Sequence, residues 1–119
     1  PPNQNGFFGE EDLFLMNYKI LKDIASVIKN NADSIQTVLI AGYANPTAYP
    51  KKDAMIEEDT ESLIPLSLQR ATAVKNVLVV LGVPENILEV VGKGGLEYVA
   101  NPLDSNENYK NRRIQFFIR

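Results

Sequence analysis

The chain has 119 residues, 45% hydrophobic and 23% charged, a globular balance large enough to bury a core without covalent staples. A net charge of −3, with no basic stripe threaded by aromatics, removes any electrostatic case for nucleic acid. The chain contains no Cys and no His, which excludes disulfides, thiolate nucleophiles, Cys-ligated zinc and a Ser-His-Asp arrangement.

The sequence starts at Pro1 with no Met and no signal peptide, so it reads as a piece of a longer protein. Two prolines, two glycines and two asparagines surround Phe7 and Phe8, and residues 1–11 read as an N-terminal arm. Glu10, Glu11 and Asp12 then place negative charge where a helix dipole favours it. Leu13, Met16, Ile20, Ile24 and Val27 follow at helical spacing and predict a helix over Asp12–Lys29.

Gln36–Gly42 is a short apolar run rich in β-branched residues, the pattern of a buried central strand. The next stretch holds Pro46, Pro50, Pro65 and the acidic cluster Glu57, Glu58, Asp59 and Glu61. It reads as an enlarged acidic loop over 46–65, with a short helical turn possible near Asp53–Glu58. In Leu66–Pro84, Ala71, Val74, Leu78 and Leu81 share one helical stripe, and Gly82 and Pro84 end the helix. Ile87–Gly92 predicts a strand, and Arg113–Ile118 a last one, with Ile114, Phe116 and Ile118 on one side. The strand–helix–strand portion should pair in parallel, and the last two strands should form an antiparallel pair. The longest apolar run, Val77–Leu81, is too short to cross a bilayer, so no membrane insertion by this domain is expected.

Arg70 stands apart. A cation near a helix N-terminus is mildly opposed by the macrodipole, so helix stability does not explain it. It is either a solvated surface residue or is presented to something.

Three landmarks in order resemble the OmpA-like C-terminal domain family of peptidoglycan-associated proteins. They are the strand-to-loop junction VLIAGYAN, the helix start LSLQRATAV with the following GVP, and the closing KNRRIQFFI. The resemblance runs from about Asp12 to Ile118 and implies an α+β fold with the order βαβαββ. Two main helices would pack on one face of a mixed sheet, the first strand being short or missing, in a single domain over 1–119. It implies a periplasmic, cell-envelope location, associated with the outer membrane through the parent protein. Non-covalent binding to peptidoglycan, by a grip on the diaminopimelate of the stem peptide, is implied as well, with other envelope proteins as further partners. No cofactor, metal or catalytic role is implied.

By the same resemblance, Arg70 supplies the arginine of the grip, and one of Arg112 and Arg113 lies near the pocket while the other serves the scaffold. A guanidinium suits the task, because it offers a carboxylate a rigid two-pronged partner. The family's aspartate falls on Asn45, its histidine on Tyr43, its threonine on Ala44, and an asparagine of the grip on Leu63. An aspartate facing an ammonium is worth about 1.5–3 kcal/mol. Asn45 forgoes that charge, which weakens binding about ten- to a hundredfold. The expectation is therefore a degraded grip, with weak or absent wall binding and a structural or protein-interaction role. The alternative is a genuine peptidoglycan anchor that uses Arg70.

Other patterns fail on their chemistry. Asp104, Asn106 and Asn108 open like a calcium loop, but Tyr109 occupies the required Gly and Gln115 the bidentate Glu. Gly92–Gly95 lacks the spacing of a phosphate cradle. No two carboxylates converge in the pattern, so acid–base catalysis is not expected.

Overall fold

The computed structural model describes residues 11–119, with side chains from Tyr18 onward. Helix α1 spans Glu11–Asn30, strand β1 Val38–Gly42, and helix α2 Lys52–Glu58. A π-helical turn, Asp59–Leu63, joins α2 without a break to helix α3, Ile64–Val80. Strands β2, Leu88–Gly92, and β3, Ile114–Ile118, complete the order. Residues 1–10 of the arm, and with them any short first strand, lie outside the described residues, while Glu11 opens α1.

β1 is central, as its apolar run demands, with the order β2-β1-β3. It pairs in parallel with β2, Val38 opposite Leu88 and Gly42 opposite Gly92. It pairs antiparallel with β3, Val38 opposite Ile118. The antiparallel pair expected between the last two strands is therefore corrected: β3 pairs with β1. The long 93–113 connection carries the chain from one side of β1 to its other side, which a tight hairpin could not do.

Both α1 and α3 cover one face of this sheet. Leu21, Ala25 and Ile28 of α1 meet Ala71, Val74 and Leu78 of α3 over Val38, Ile40 and Leu88. The predicted stripe of α3 is thus buried, except that Leu81, past the helix end, is only half-buried. The helix stops as its sequence requires. Gly82 takes a φ of 99°, its N–H donates to the Val79 carbonyl, and that of Val83 donates to Leu78.

The enlarged loop at 46–65 is also corrected, since the chain is helical from Lys52 onward. Pro65 signalled a break in the sequence, but it sits in the first turn of α3, immediately after the π turn. Proline cannot donate to the preceding turn and its ring crowds the carbonyl four residues back. The wider π turn just before it is where that crowding can be absorbed. The continuous helix, Lys52–Val80, has 29 residues and a window of mean hydropathy 1.2, enough by length and composition for a membrane span. Counting only the Val77–Leu81 run missed this. In the fold, its apolar stripe lies on the sheet.

Two glycines set how closely α3 lies on the sheet. They face each other across β1 and β2. A Cβ on Gly42 would fall onto the Ser67 carbonyl, and one on Gly92 onto the Ile64 carbonyl and 2.7 Å from the Leu68 nitrogen. Only glycine admits this approach. It brings the first turns of α3, with Ser67 and Arg70, to the sheet end where the loops leave.

Candidate functional site

Three segments meet at that sheet end: the loop after β1, the start of α3, and the 93–113 connection. Ser67 precedes Arg70 by three residues and so shares its helix face. Ser67 is fully buried; its Oγ accepts from the Gly94 N–H at 2.9 Å and donates to the Ile64 carbonyl at 3.0 Å. The Gly95 N–H donates to Asp59 Oδ1 at 2.6 Å. Gly94, at φ +68°, lets the loop turn tightly against that carboxylate. The Ala44 N–H donates to the Gly94 carbonyl at 2.8 Å, which ties the first loop to the third segment.

This changes the reading of the acidic cluster. Glu57 and Glu61 are exposed, as solvated charges should be. Asp59, however, is 4% exposed and anchors the glycine loop. Glu58 accepts from the Thr47 and Ala48 N–H groups, both at 3.1 Å, and from the Thr47 hydroxyl. Both carboxylates staple the helix to the loops.

Arg70 is 9% exposed, so the solvated alternative does not hold. Burial pushes its pKa below the ordinary arginine value, and the nearby charge of Arg112 lowers it further. Burial likewise depresses Arg112. Arg112 Nη2 is buried and has no hydrogen-bond partner among the described residues. Arg113 turns elsewhere. Its guanidinium carbon lies 3.8 Å from the centre of the Tyr43 ring, Nε donates to Gln115 Oε1 at 3.0 Å, and Nη2 donates to the Glu97 carbonyl at 3.1 Å.

Of the positions singled out in the sequence, Arg70 and Arg112 come together. Asn45 joins them through a neighbour. Asn111, 0% exposed, donates from Nδ2 to Asn45 Oδ1 at 2.8 Å and to the Ala100 carbonyl at 3.0 Å. Its Oδ1 accepts from Val99 and Ala100 at 2.8 and 2.9 Å. The Asn45 side-chain oxygen is thus engaged inside the protein, and its Nδ2 reaches the Pro102 carbonyl at 3.5 Å. Tyr43, Ala44 and Leu63 are 4%, 3% and 7% exposed and serve as packing. Tyr43 is the base on which Arg113 stacks, and Leu63 lies against Gly95 with Ala44 close by.

The central part played by Asn111 was not read from the sequence, although it opens the NRR triplet. Ser67 was not singled out in the sequence either; its place three residues before Arg70 on one helix face is the signal that could have found it.

An α+β sandwich with α1 and α3 on one face of a mixed sheet, and a basic cluster at the sheet end, is the OmpA-like architecture. The chain belongs to the OmpA family, whose model matches residues 8–113. Solved structures agree in fold. The C-terminal domain of Helicobacter pylori MotB matches at 20% identity and a TM-score of 0.75, over 98% of this chain and 80% of that one. The peptidoglycan-associated lipoprotein from Burkholderia pseudomallei matches at 24% identity and TM-score 0.71, covering 87% and 78%. The OmpA-like domain of FopA1 from Francisella tularensis matches at 23% identity and TM-score 0.66, covering 83% and 58%. No curated protein sequence matches the chain.

Proposed function

We propose that the domain is a non-catalytic cell-envelope module that engages the peptidoglycan stem peptide weakly, through a carboxylate alone, in the periplasm. The observation that carries this reading is the buried Arg112 Nη2, which has no hydrogen-bond partner among the described residues. Burial depresses the pKa of both guanidiniums, and the charge of Arg112 lowers that of Arg70 further. Perturbed groups of this kind cluster at functional sites. A stem-peptide carboxylate would find the buried Arg112 Nη2 as a donor beside Arg70. The weakness follows from Asn45, whose oxygen is held by Asn111 and whose neutral amide cannot balance an ammonium.

That same hydrogen bond favours a second reading. A site whose former ligand contact has become internal structure suits a structural or protein-interaction unit within the envelope.

Co-sedimentation with purified peptidoglycan separates the two. The first reading predicts partial pelleting that Arg70→Ala reduces about tenfold and Asn45→Asp raises about tenfold. Asn45→Asp keeps an acceptor for Asn111, so the fold should tolerate it. No pelleting by either the parent or the Asn45→Asp variant would establish the structural reading.

A further inference from the structure

Asn45 carries more than the lack of a charge. The orientation of its amide is fixed by its neighbours. Asn111 Oδ1 accepts from two backbone amides, those of Val99 and Ala100, and only the oxygen of that side chain can do so. Asn111 Nδ2 is therefore the atom that donates to the Ala100 carbonyl and to Asn45. Asn45 answers with its oxygen, and its own Nδ2 is left 3.5 Å from the Pro102 carbonyl. That distance is long for an N–H···O bond, and the same carbonyl already accepts from Asn108 Nδ2 at 3.1 Å.

Asn45 is half-buried, whereas Asn111 behind it is fully buried. The oxygen of Asn45 thus faces the interior, and the edge left for a ligand is an N–H donor. The arginines of the site have the same polarity. Arg112 Nη2 is a buried donor with no partner among the described residues, and a guanidinium such as that of Arg70 has no acceptor to offer. The carboxylates close by are engaged elsewhere. Asp59 holds the Gly95 N–H, Glu58 holds Thr47 and Ala48, Glu97 lies 3.7 Å from Lys93 Nζ, and Asp104 accepts from the Asn106 N–H at 2.9 Å. An ammonium, which carries donors alone, meets only donors here. An amide carbonyl in its place meets a partner.

We propose that the site selects stem peptides whose diaminopimelate amine is acylated, as it is in a cross-link, over those whose amine is free, the acyl carbonyl accepting from Asn45 Nδ2. The inference rests on the wall-binding reading above and names the form of the peptide that this site takes.

The test is calorimetric titration of the domain with one stem peptide ending in diaminopimelate, its amine either free or N-acetylated. The carboxylates are the same in both probes. The acetylated form should bind roughly tenfold more tightly, and Asn45→Asp, which puts a charged acceptor at the position, should reverse the order. Equal affinity for the two forms overturns the selection and leaves the carboxylate grip in place. Tighter binding of the free amine does the same, and would assign the balancing charge to a nearby acid such as Asp104. An order that Asn45→Asp leaves unchanged overturns the role given to Asn45. If neither form binds, the wall-binding reading falls and the selection falls with it.

Discussion

Replacing Asn111 by Ala removes two acceptor bonds from the Val99 and Ala100 amides and two donor bonds to Asn45 and Ala100. At a fully buried position this leaves several polar groups unsatisfied, and the expected cost is about 2–4 kcal/mol in urea unfolding. Asp59 offers a graded comparison. Asp59→Asn keeps an oxygen for the Gly95 N–H and should cost about 1 kcal/mol, whereas Asp59→Ala orphans a buried amide and should cost about 2–3 kcal/mol. Equal costs for the two Asp59 variants would mean that the carboxylate charge, rather than the hydrogen bond, holds the glycine loop. Neither residue announces itself in the pattern. Asp59 hides in a run of acids that otherwise face solvent, and Asn111 precedes two arginines that draw the eye. What separates them from their neighbours is a partner 36 residues away for Asp59 and 66 for Asn111, which local periodicity cannot encode.

Among the elements, the approach of α3 to the sheet is the most constrained. Gly92→Ala drives a methyl onto the Ile64 carbonyl and the Leu68 nitrogen, and backbone cannot yield as a flexible side chain does. The expected loss is about 3 kcal/mol. Gly82→Ala provides the contrast. Its φ of 99° is strained for any L-residue, but the neighbouring atoms belong to the far end of the Lys29 side chain and lie at 3.4 Å or more, so about 1–2 kcal/mol is expected. Thermal unfolding of both variants should rank Gly92→Ala as clearly less stable. Helix α3 and all three described strands were legible because their buried stripes repeat at the helix or strand period. Helix α1 was legible as a helix, but its stripe was misplaced by about one position: Ile20 and Val27 are exposed, whereas Leu21, Ala25 and Ile28 are buried. Residues 52–63 were misread because Pro65 carries the sign of a break, whereas a π turn lets a helix run through it. The pairing of β3 was also misassigned. Strand patterns show which face is buried, not which neighbour a long connection will reach.

At the scale of the molecule, the site exists only where three separate segments converge, so its chemistry is a property of the whole fold. Its arginines were visible through the family landmarks; the hydrogen bond from Asn111 to Asn45 was not. The assembled site also makes a definite statement about pH. Arg70 and Arg112 both have pKa values lowered from the ordinary arginine range by burial. For a base, a lowered folded-state pKa means that the unfolded chain holds the proton more tightly. Stability from these groups therefore rises only as pH climbs through the arginine range, and both remain charged at neutral pH. With no His in the chain, nothing in the cluster ordinarily titrates near pH 6–7. Wall binding through a ligand carboxylate should then be flat from about pH 5 to 9 and fall below about pH 4 as that carboxylate is protonated. Pelleting across this range measures it. A loss of binding between about pH 7 and 5 would contradict the carboxylate assignment, because it would match the second ionisation of a phosphate ester, near pH 6. The arginines would then be gripping phosphate on the wall rather than its peptide.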